Sequence, residues 1–260
     1  PSLPEGGMKT VPTIAAARAE LKARRTGTIG LVPTMGALHA GHLALFQAAR
    51  EECDTVVASL FLNPAQFNNA ADLAAYPRDE ARDAALAEEA GVDILFAPAA
   101  TELYPTGFAT WIEPAGVAEG LEGAYRPGHF RGVATVCVKL FSIIQPDIAY
   151  FGRKDAQQVA VIKQVVRDLN LPLEICVVPT VRDSDGLALS SRNVRLSPED
   201  RATALAIPQA LATHDPDAAR RVLTAAGIEP EYVAIADLDG PTLAVAATVG
   251  STRLIDNVLL

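Results

Sequence analysis

The chain has 260 residues, of which 50% are hydrophobic and 20% charged, and it carries a formal net charge of -9. That length and apolar content support one large folded domain or two modest ones with their own cores. The negative balance opposes general binding to nucleic acid or an anionic membrane, so an anionic ligand has to be held by a local cluster of donors.

Pro1 to Gly7 reads as an addition ahead of a native start at Met8. Thr28 to Val32 is a short apolar run with β-branched residues behind Gly27, which predicts a buried strand. Leu43, Phe46 and Ala49 recur at helical spacing, so a helix is expected to open near Gly41. Between strand and helix lies Pro33-Thr34-Met35-Gly36-Ala37-Leu38-His39-Ala40-Gly41-His42. Its proline and glycines turn sharply and let main-chain N–H groups approach a ligand, and a helix N-terminus offers unpaired donors and partial positive charge to an anion. His39 and His42, at i and i+3, suit hydrogen bonding to one phosphate as charge develops there. A helix cap, a solvated side chain and metal ligation are the competing readings of the two histidines. No cysteine pair or clustered third ligand accompanies them nearby.

Thr55 to Leu62 predicts a second strand, ending in Asn63-Pro64-Ala65-Gln66-Phe67. Pro64 fixes the backbone there, and Gln66 has both a donor and an acceptor with which to orient a hydroxyl or carboxylate; a plain turn is the alternative. Glu80 to Ala90 reads as a helix punctuated by Gly91, followed by a short strand from Asp93 to Phe96. Val133, Val136, Cys137, Leu140, Phe141 and Ile144 fall on one face of another helix. Ile148 to Phe151 returns to strand, and Gly152-Arg153-Lys154-Asp155 turns into a helix with Ile162, Val165, Val166 and Leu169 facing inward. Lys154 is a point charge suited to phosphate, and Asp155 is an acceptor for ribose hydroxyls; a solvated lysine beside a helix cap reads equally from the residues alone. Glu174 to Val178 closes the alternation as a strand.

Strands alternating with helices predict an α/β fold: a Rossmann-like, mostly parallel sheet covered on both sides, with ligands beyond the carboxyl ends of its strands. A boundary is expected near Pro179-Thr180, giving a first domain over 1–180 and a smaller α+β domain over 181–260. The second begins with a polar loop, Asp185-Gly186-Leu187-Ala188-Leu189-Ser190-Ser191-Arg192-Asn193, whose hydroxyls and guanidinium suit polyphosphate oxygens unless the loop is merely a surface one. Alanine-rich helices around Pro198 to Leu211 and Pro216 to Ala226 follow, then short strands ending at Asp256.

Cys53, Cys137 and Cys176 are widely spaced in apolar surroundings, which predicts buried, unpaired thiols in a reducing compartment. No run approaches the length of a membrane span and the N-terminus lacks the order of a secretion signal, so the cytoplasm is the expected location. Neither a G-x-x-x-x-G-K-[ST] loop, a G-x-G-x-x-G fingerprint, a G-x-S-x-G elbow nor an H-E-x-x-H helix occurs.

Pro33 to His42, Asn63 to Phe67, Tyr76-Pro77-Arg78, Arg126 to Arg131 (RPGHFR), Gly152 to Gln158 (GRKDAQQ) and Pro179 to Asn193 together resemble, in order, the pantoate-β-alanine ligase family. The resemblance spans nearly the whole chain. It implies ATP-dependent condensation of pantoate with β-alanine to pantothenate, AMP and pyrophosphate through a pantoyl adenylate, with magnesium (Mg2+) as cofactor. It also implies that 1–180 binds ATP and pantoate, that 181–260 acts as a small lid domain, and that the protein is a homodimer.

Carried over by position, Met35, Gly36, Ala37, Leu38, His39, Ala40, Gly41 and His42 match the ATP-binding loop, with His39 and His42 at the transferring phosphate and His42 the proposed proton donor. Gly152, Arg153, Lys154 and Asp155 match the ribose and phosphate loop, Lys154 being its phosphate lysine. Val181 matches an adenine contact, and Leu189, Ser190, Ser191 and Arg192 match a segment that closes on the triphosphate. Gln66 and Gln158 match pantoate-orienting glutamines, Gln66 also at the β-alanine position, while Asn63 and Tyr76 are expected to line the same cavity. Arg153 stands where the family usually has glutamate, Ala156 where an aromatic is frequent, and Ala65 where methionine is common. Asp83 is the one candidate protein ligand for magnesium, without the adjacent carboxylate some members carry. The histidine device also serves nucleotidyltransferases of phosphorylated or alcohol substrates, and a nucleotide-sensing module without turnover is the non-enzymatic alternative.

Overall fold

The computed structural model describes residues 7–260, so the reading of Pro1 to Gly7 falls, apart from Gly7, outside the described residues. Six strands form one sheet: β1 (Lys9–Val11), β2 (Ile29–Thr34), β3 (Thr55–Leu60), β4 (Ile94–Phe96), β5 (Ile148–Gly152) and β6 (Glu174–Val178), in the order β1-β4-β3-β2-β5-β6. The pairs β1/β4, β3/β4, β2/β3 and β2/β5 are parallel. β2 and β3 are buried at almost every position, as apolar runs covered on both faces must be. The order of strands reverses between β2 and β5, so their carboxyl ends mark the topological switch point at which open α/β sheets bind ligands.

The helix Ala40–Glu52 lays Leu45, Phe46 and Ala49 into a core shared with Val32, Val56, Ala58, Leu95 and Tyr150. Cys53 and Cys137 are buried and Cys176 half-buried, none of them in a disulfide. Burial pushes the Cys137 thiol up to about 12 and raises that of Cys53.

Contacts divide the chain into two compact units: the chain to Phe151 with Val161–Val178, and Gly152–Ala160 with Pro179–Leu260. The segment Gly152–Ala160 was expected in the first domain. It groups instead with the second, because Asp239 and Asn257 bond its Arg153 and Lys154. The second unit is an antiparallel sheet of β7 (Pro230–Asp237), β8 (Pro241–Val249) and β9 (Thr252–Leu259). The helices Ala206–Leu211 and Pro216–Ala225 share its core, with Ile207, Leu211 and Leu223 among Leu243 and Val245.

Two sequence readings change, and two elements were not anticipated. The helix expected over Pro198 to Leu211 is two, Pro198–Ala204 and Ala206–Leu211, because Pro208 has no N–H to offer the Ala204 carbonyl. The last strand runs on past Asp256 to Leu259. β1 and the helix Ile14–Lys22, capped by Thr13, were not predicted; β1 is short and buries only Val11. No helix among the described residues is long and apolar enough to cross a membrane.

Candidate active site

The histidine loop leaves the carboxyl end of β2 through backbone that few residues tolerate. Gly36 has φ +89°, and a Cβ on it would lie 3.0 Å from Asp83 Oδ2 and 3.1 Å from Leu60 Cδ1. Ala37 also has positive φ, 53°. Asp83 holds the strained turn: its two carboxylate oxygens accept the Ala37 and Leu38 N–H groups, each at 2.8 Å. Asp83 stands in the first turn of the helix Glu80–Glu89 and is 1% exposed. Asp83 is thus a clamp of this loop. Among the described residues no group of three or more His, Cys, Asp or Glu side chains is arranged to hold a metal.

His39 caps the helix Ala40–Glu52, its Nδ1 accepting the Gly41 N–H at 3.1 Å, and His42 Nδ1 accepts the His39 N–H at 3.3 Å. This is a capping box built from two imidazoles, with ring centroids 4.2 Å apart. A ring nitrogen that accepts carries no hydrogen, so in both neutral rings the hydrogen sits on Nε2. The cap reading therefore holds for the pair, with Nδ1 of each ring serving the backbone. Gly41 permits this, since a Cβ there would meet the His39 ring at 2.9 Å. The expectation of unpaired main-chain donors is narrowed. Gly41 N–H goes to the His39 side chain, and the His42 and Leu43 N–H groups to the His39 carbonyl.

After β3, a 3-10 turn over Pro64–Gln66 is capped by Asn63. Asn63 Nδ2 donates to Gln66 Oε1 at 3.0 Å and to the Gly132 carbonyl at 3.1 Å, while Gln66 Nε2 meets Met35 Sδ at 3.1 Å. Asn63 is 1% exposed and Tyr76 6%. The expected cavity-lining role of Asn63 thus becomes one of holding Gln66, because both its amide hydrogens are spent on neighbours. Tyr76 packs edge-on against Phe67 with ring centroids 5.9 Å apart. A cavity of about 360 Å³ joins the loops after β2 and β3, lined among others by Met35, Gly36, Pro64 and Asp83.

The Arg126 to Arg131 motif, which carried no assigned role in the sequence, supports the Gln66 turn. His129 Nδ1–H donates to the Gln66 main-chain carbonyl at 2.9 Å, and Arg126 lies 3.3 Å from His129 Nε2 and 3.4 Å from the same carbonyl. Since Arg126 can only donate, His129 Nε2 is the acceptor and its tautomer is fixed. Gly132 completes the support: a Cβ there would lie 2.2 Å from the Ala65 carbonyl oxygen, so only glycine lets the helix His129–Ile144 approach the turn. Glycine beside a histidine motif was the available signal; its target, Gln66, is 63 residues away from His129.

In the second unit, Gly152 enters a 3-10 turn over Arg153–Asp155 that runs into the helix Ala156–Asp168. Arg153, expected within the ribose and phosphate loop, turns its guanidinium to Asp239, 3.1 Å from the carboxylate and 2.9 Å from the main-chain carbonyl. Lys154, Asp155 and Gln158 are partly exposed. Val181 accepts the Leu189 N–H at 3.0 Å, and Arg182 bridges Ala188 in an antiparallel pair. Ser190 then caps a 3-10 turn over Ser191–Arg195 by accepting the Arg192 N–H at 3.2 Å. Leu189 to Arg192 thus lead into an organised turn.

The family model described as Pantoate-beta-alanine ligase matches residues 8–259. Pantothenate synthetase 1 of Bradyrhizobium diazoefficiens is 51% identical, over 97% of this chain and 98% of its own. The pantothenate synthetase of Moorella thermoacetica is likewise 51% identical, over 97% and 99%. The crystal structure of pantothenate synthetase from Thermus thermophilus superposes with a TM-score of 0.92 at 47% identity, covering 96% of this chain and 99% of that one. Pantoate-beta-alanine ligase from Francisella tularensis, crystallised with beta-gamma ATP and beta-alanine, gives a TM-score of 0.89 at 38% identity over 97% of both chains. Held together with the histidine box and the braced Gln66 turn, these matches establish that the chain belongs to the pantoate-β-alanine ligase family.

Proposed function

We propose that this chain joins (R)-pantoate to β-alanine at the expense of ATP, and that the observation carrying the reading is the His39–His42 box at the carboxyl end of β2. A carboxylate is not amidated directly at neutral pH. A pantoate oxygen therefore attacks the α-phosphorus, the bond to the β-phosphate oxygen breaks, and pyrophosphate leaves. The amine of β-alanine then attacks the acyl carbon of pantoyl adenylate; the C–O bond to AMP breaks and the nitrogen loses its proton. The protein's part is positioning and electrostatic stabilisation.

His42 and His39 donate Nε2–H to the phosphate oxygens as negative charge grows there, and His42 is the proton donor that the family resemblance implies. Met35 to Gly41 pack against the nucleotide. Lys154 offsets phosphate charge, Gly152, Arg153 and Asp155 shape the ribose turn, with Arg153 acting through its backbone, and Val181 flanks adenine. Leu189, Ser190, Ser191 and Arg192 bind the triphosphate. Gln66 and Gln158 orient pantoate, Gln66 also meeting β-alanine, with Asn63 and Tyr76 behind them. Magnesium belongs to this reading as the counter-ion of ATP. With Asp83 engaged by loop amides, no protein carboxylate is assigned to it, and bound to ATP it would offset phosphate charge. The first domain binds ATP and pantoate, the small one acts as a lid, and the protein works as a cytoplasmic homodimer; unpaired buried thiols fit a reducing compartment.

Pantoate-dependent exchange of labelled pyrophosphate into ATP, without β-alanine, tests the reading. Exchange is expected; its absence, or ADP among the products, contradicts it.

A further inference from the structure

Asn257, on β9, turns the donor edge of its amide to two successive main-chain carbonyls, those of Arg153 at 3.0 Å and Lys154 at 2.8 Å. Both hydrogens of Nδ2 are used in this way, and Oδ1 is left buried without a hydrogen-bond partner. Folded proteins keep few such orphaned acceptors, and this one follows from aiming the amide at the turn. The preceding residue, Asp256, is 3% exposed. Its carboxylate takes Arg182 in a two-pronged pair at 2.6 and 3.0 Å, and its Oδ1 accepts the Asn257 N–H at 2.8 Å. Arg182 belongs to the hairpin that leads into Leu189–Arg192. The Arg153 side chain anchors the other end of the turn on Asp239.

We propose that Asn257 is a positioning residue for Lys154. By fixing the carbonyls on either side of the Lys154 Cα, it sets the direction in which the lysine side chain leaves the turn. A long, flexible ammonium stem gains most from such anchoring at its base. The Arg182–Asp256 pair ties the same strand to the Ser190–Arg192 turn, so two phosphate-facing segments share one support. The inference rests on the assignment of Lys154 to the ATP phosphates.

The test is a double-mutant cycle on the full chain, read in pantoate-dependent pyrophosphate exchange. Amide formation from pre-made pantoyl adenylate and β-alanine is measured alongside. Asn257→Ala is expected to slow exchange about 10–10²-fold while leaving the amide step within about 2-fold. In a Lys154→Ala background the same change is expected to add less than about 2-fold, because the group it positions is gone. Losses that multiply across the two variants, equal slowing of both half-reactions, or wild-type exchange in Asn257→Ala overturn the inference alone. No exchange in the wild-type chain overturns the reaction assignment and the inference with it. Should Asn257→Ala melt below the assay temperature, Asn257→Ser, which keeps one hydroxyl donor, carries the same cycle with an expected loss of about 3–10-fold.

Discussion

His42 Nδ1 serves its own helix cap and the proposed function assigns the opposite ring nitrogen to phosphate, so its replacement has two separable effects. His42→Ala is expected to slow adenylation by about 10²–10⁴-fold and to cost about 0.5–2 kcal/mol of stability through the lost cap; rapid-quench kinetics and denaturant melts read the two apart. Asp83→Ala leaves the Ala37 and Leu38 N–H groups without their acceptor. A loss of about 1.5–3 kcal/mol is expected, with the magnesium concentration for half-maximal activity unchanged; a large rise in that concentration would restore Asp83 as a ligand. The histidine pair was legible because its two members are sequence neighbours on one helical turn. The clamp was not, since Asp83 meets Ala37 across 46 residues and nothing in its own segment points there. Burial also holds the Cys137 thiol up to about 12, so the thiolate is scarce at neutral pH. Native protein is expected to react with a thiol reagent at pH 8 far more slowly than unfolded protein, and equal rates would contradict the buried placement.

At the scale of elements, the Gln66 turn stands where it does because the helix His129–Ile144 has no side chain at Gly132. Gly132→Ala is expected to cost about 1–3 kcal/mol or more through the clash with the Ala65 carbonyl and to raise the KM for pantoate, as measured by melting and steady-state kinetics. A stable variant with an unchanged KM would remove Gly132 from the support of Gln66. Strands buried on both faces, such as β2 and β3, were readable from their apolar runs to within a few residues. β6 was read at its observed limits, Glu174 to Val178. β1 escaped because an edge strand that buries only Val11 carries no pattern. The break at Leu205 needed the missing donor of Pro208 to be weighed against a continuous alanine-rich run. Packing partners of the RPGHFR helix lie far along the chain, so the helical spacing of its apolar residues identified the helix and left its function unread.

For the molecule as a whole, a net charge of -9 leaves anionic substrates to local donors, and the proposed function assigns them to the imidazole box, the Lys154 turn and the Ser190–Arg192 turn. The first compact unit supplies the sheet and its switch point, and the second supplies a sheet-backed support for the lysine turn. The assignment of Gly152–Ala160 to the second unit could not be read locally, because the bonds that draw it there come from Asp239 and Asn257, about a hundred residues on. In the proposed reaction a pantoate carboxylate oxygen becomes bonded to the α-phosphorus of ATP before the amide forms. Pantoate carrying ¹⁸O at both carboxylate oxygens, turned over with ATP and β-alanine and followed by mass spectrometry of all products, tests this directly. AMP is expected to take one ¹⁸O, the amide carbonyl of pantothenate to keep the other, and pyrophosphate to be unlabelled; unlabelled AMP, or ADP as the product, would contradict the adenylate route.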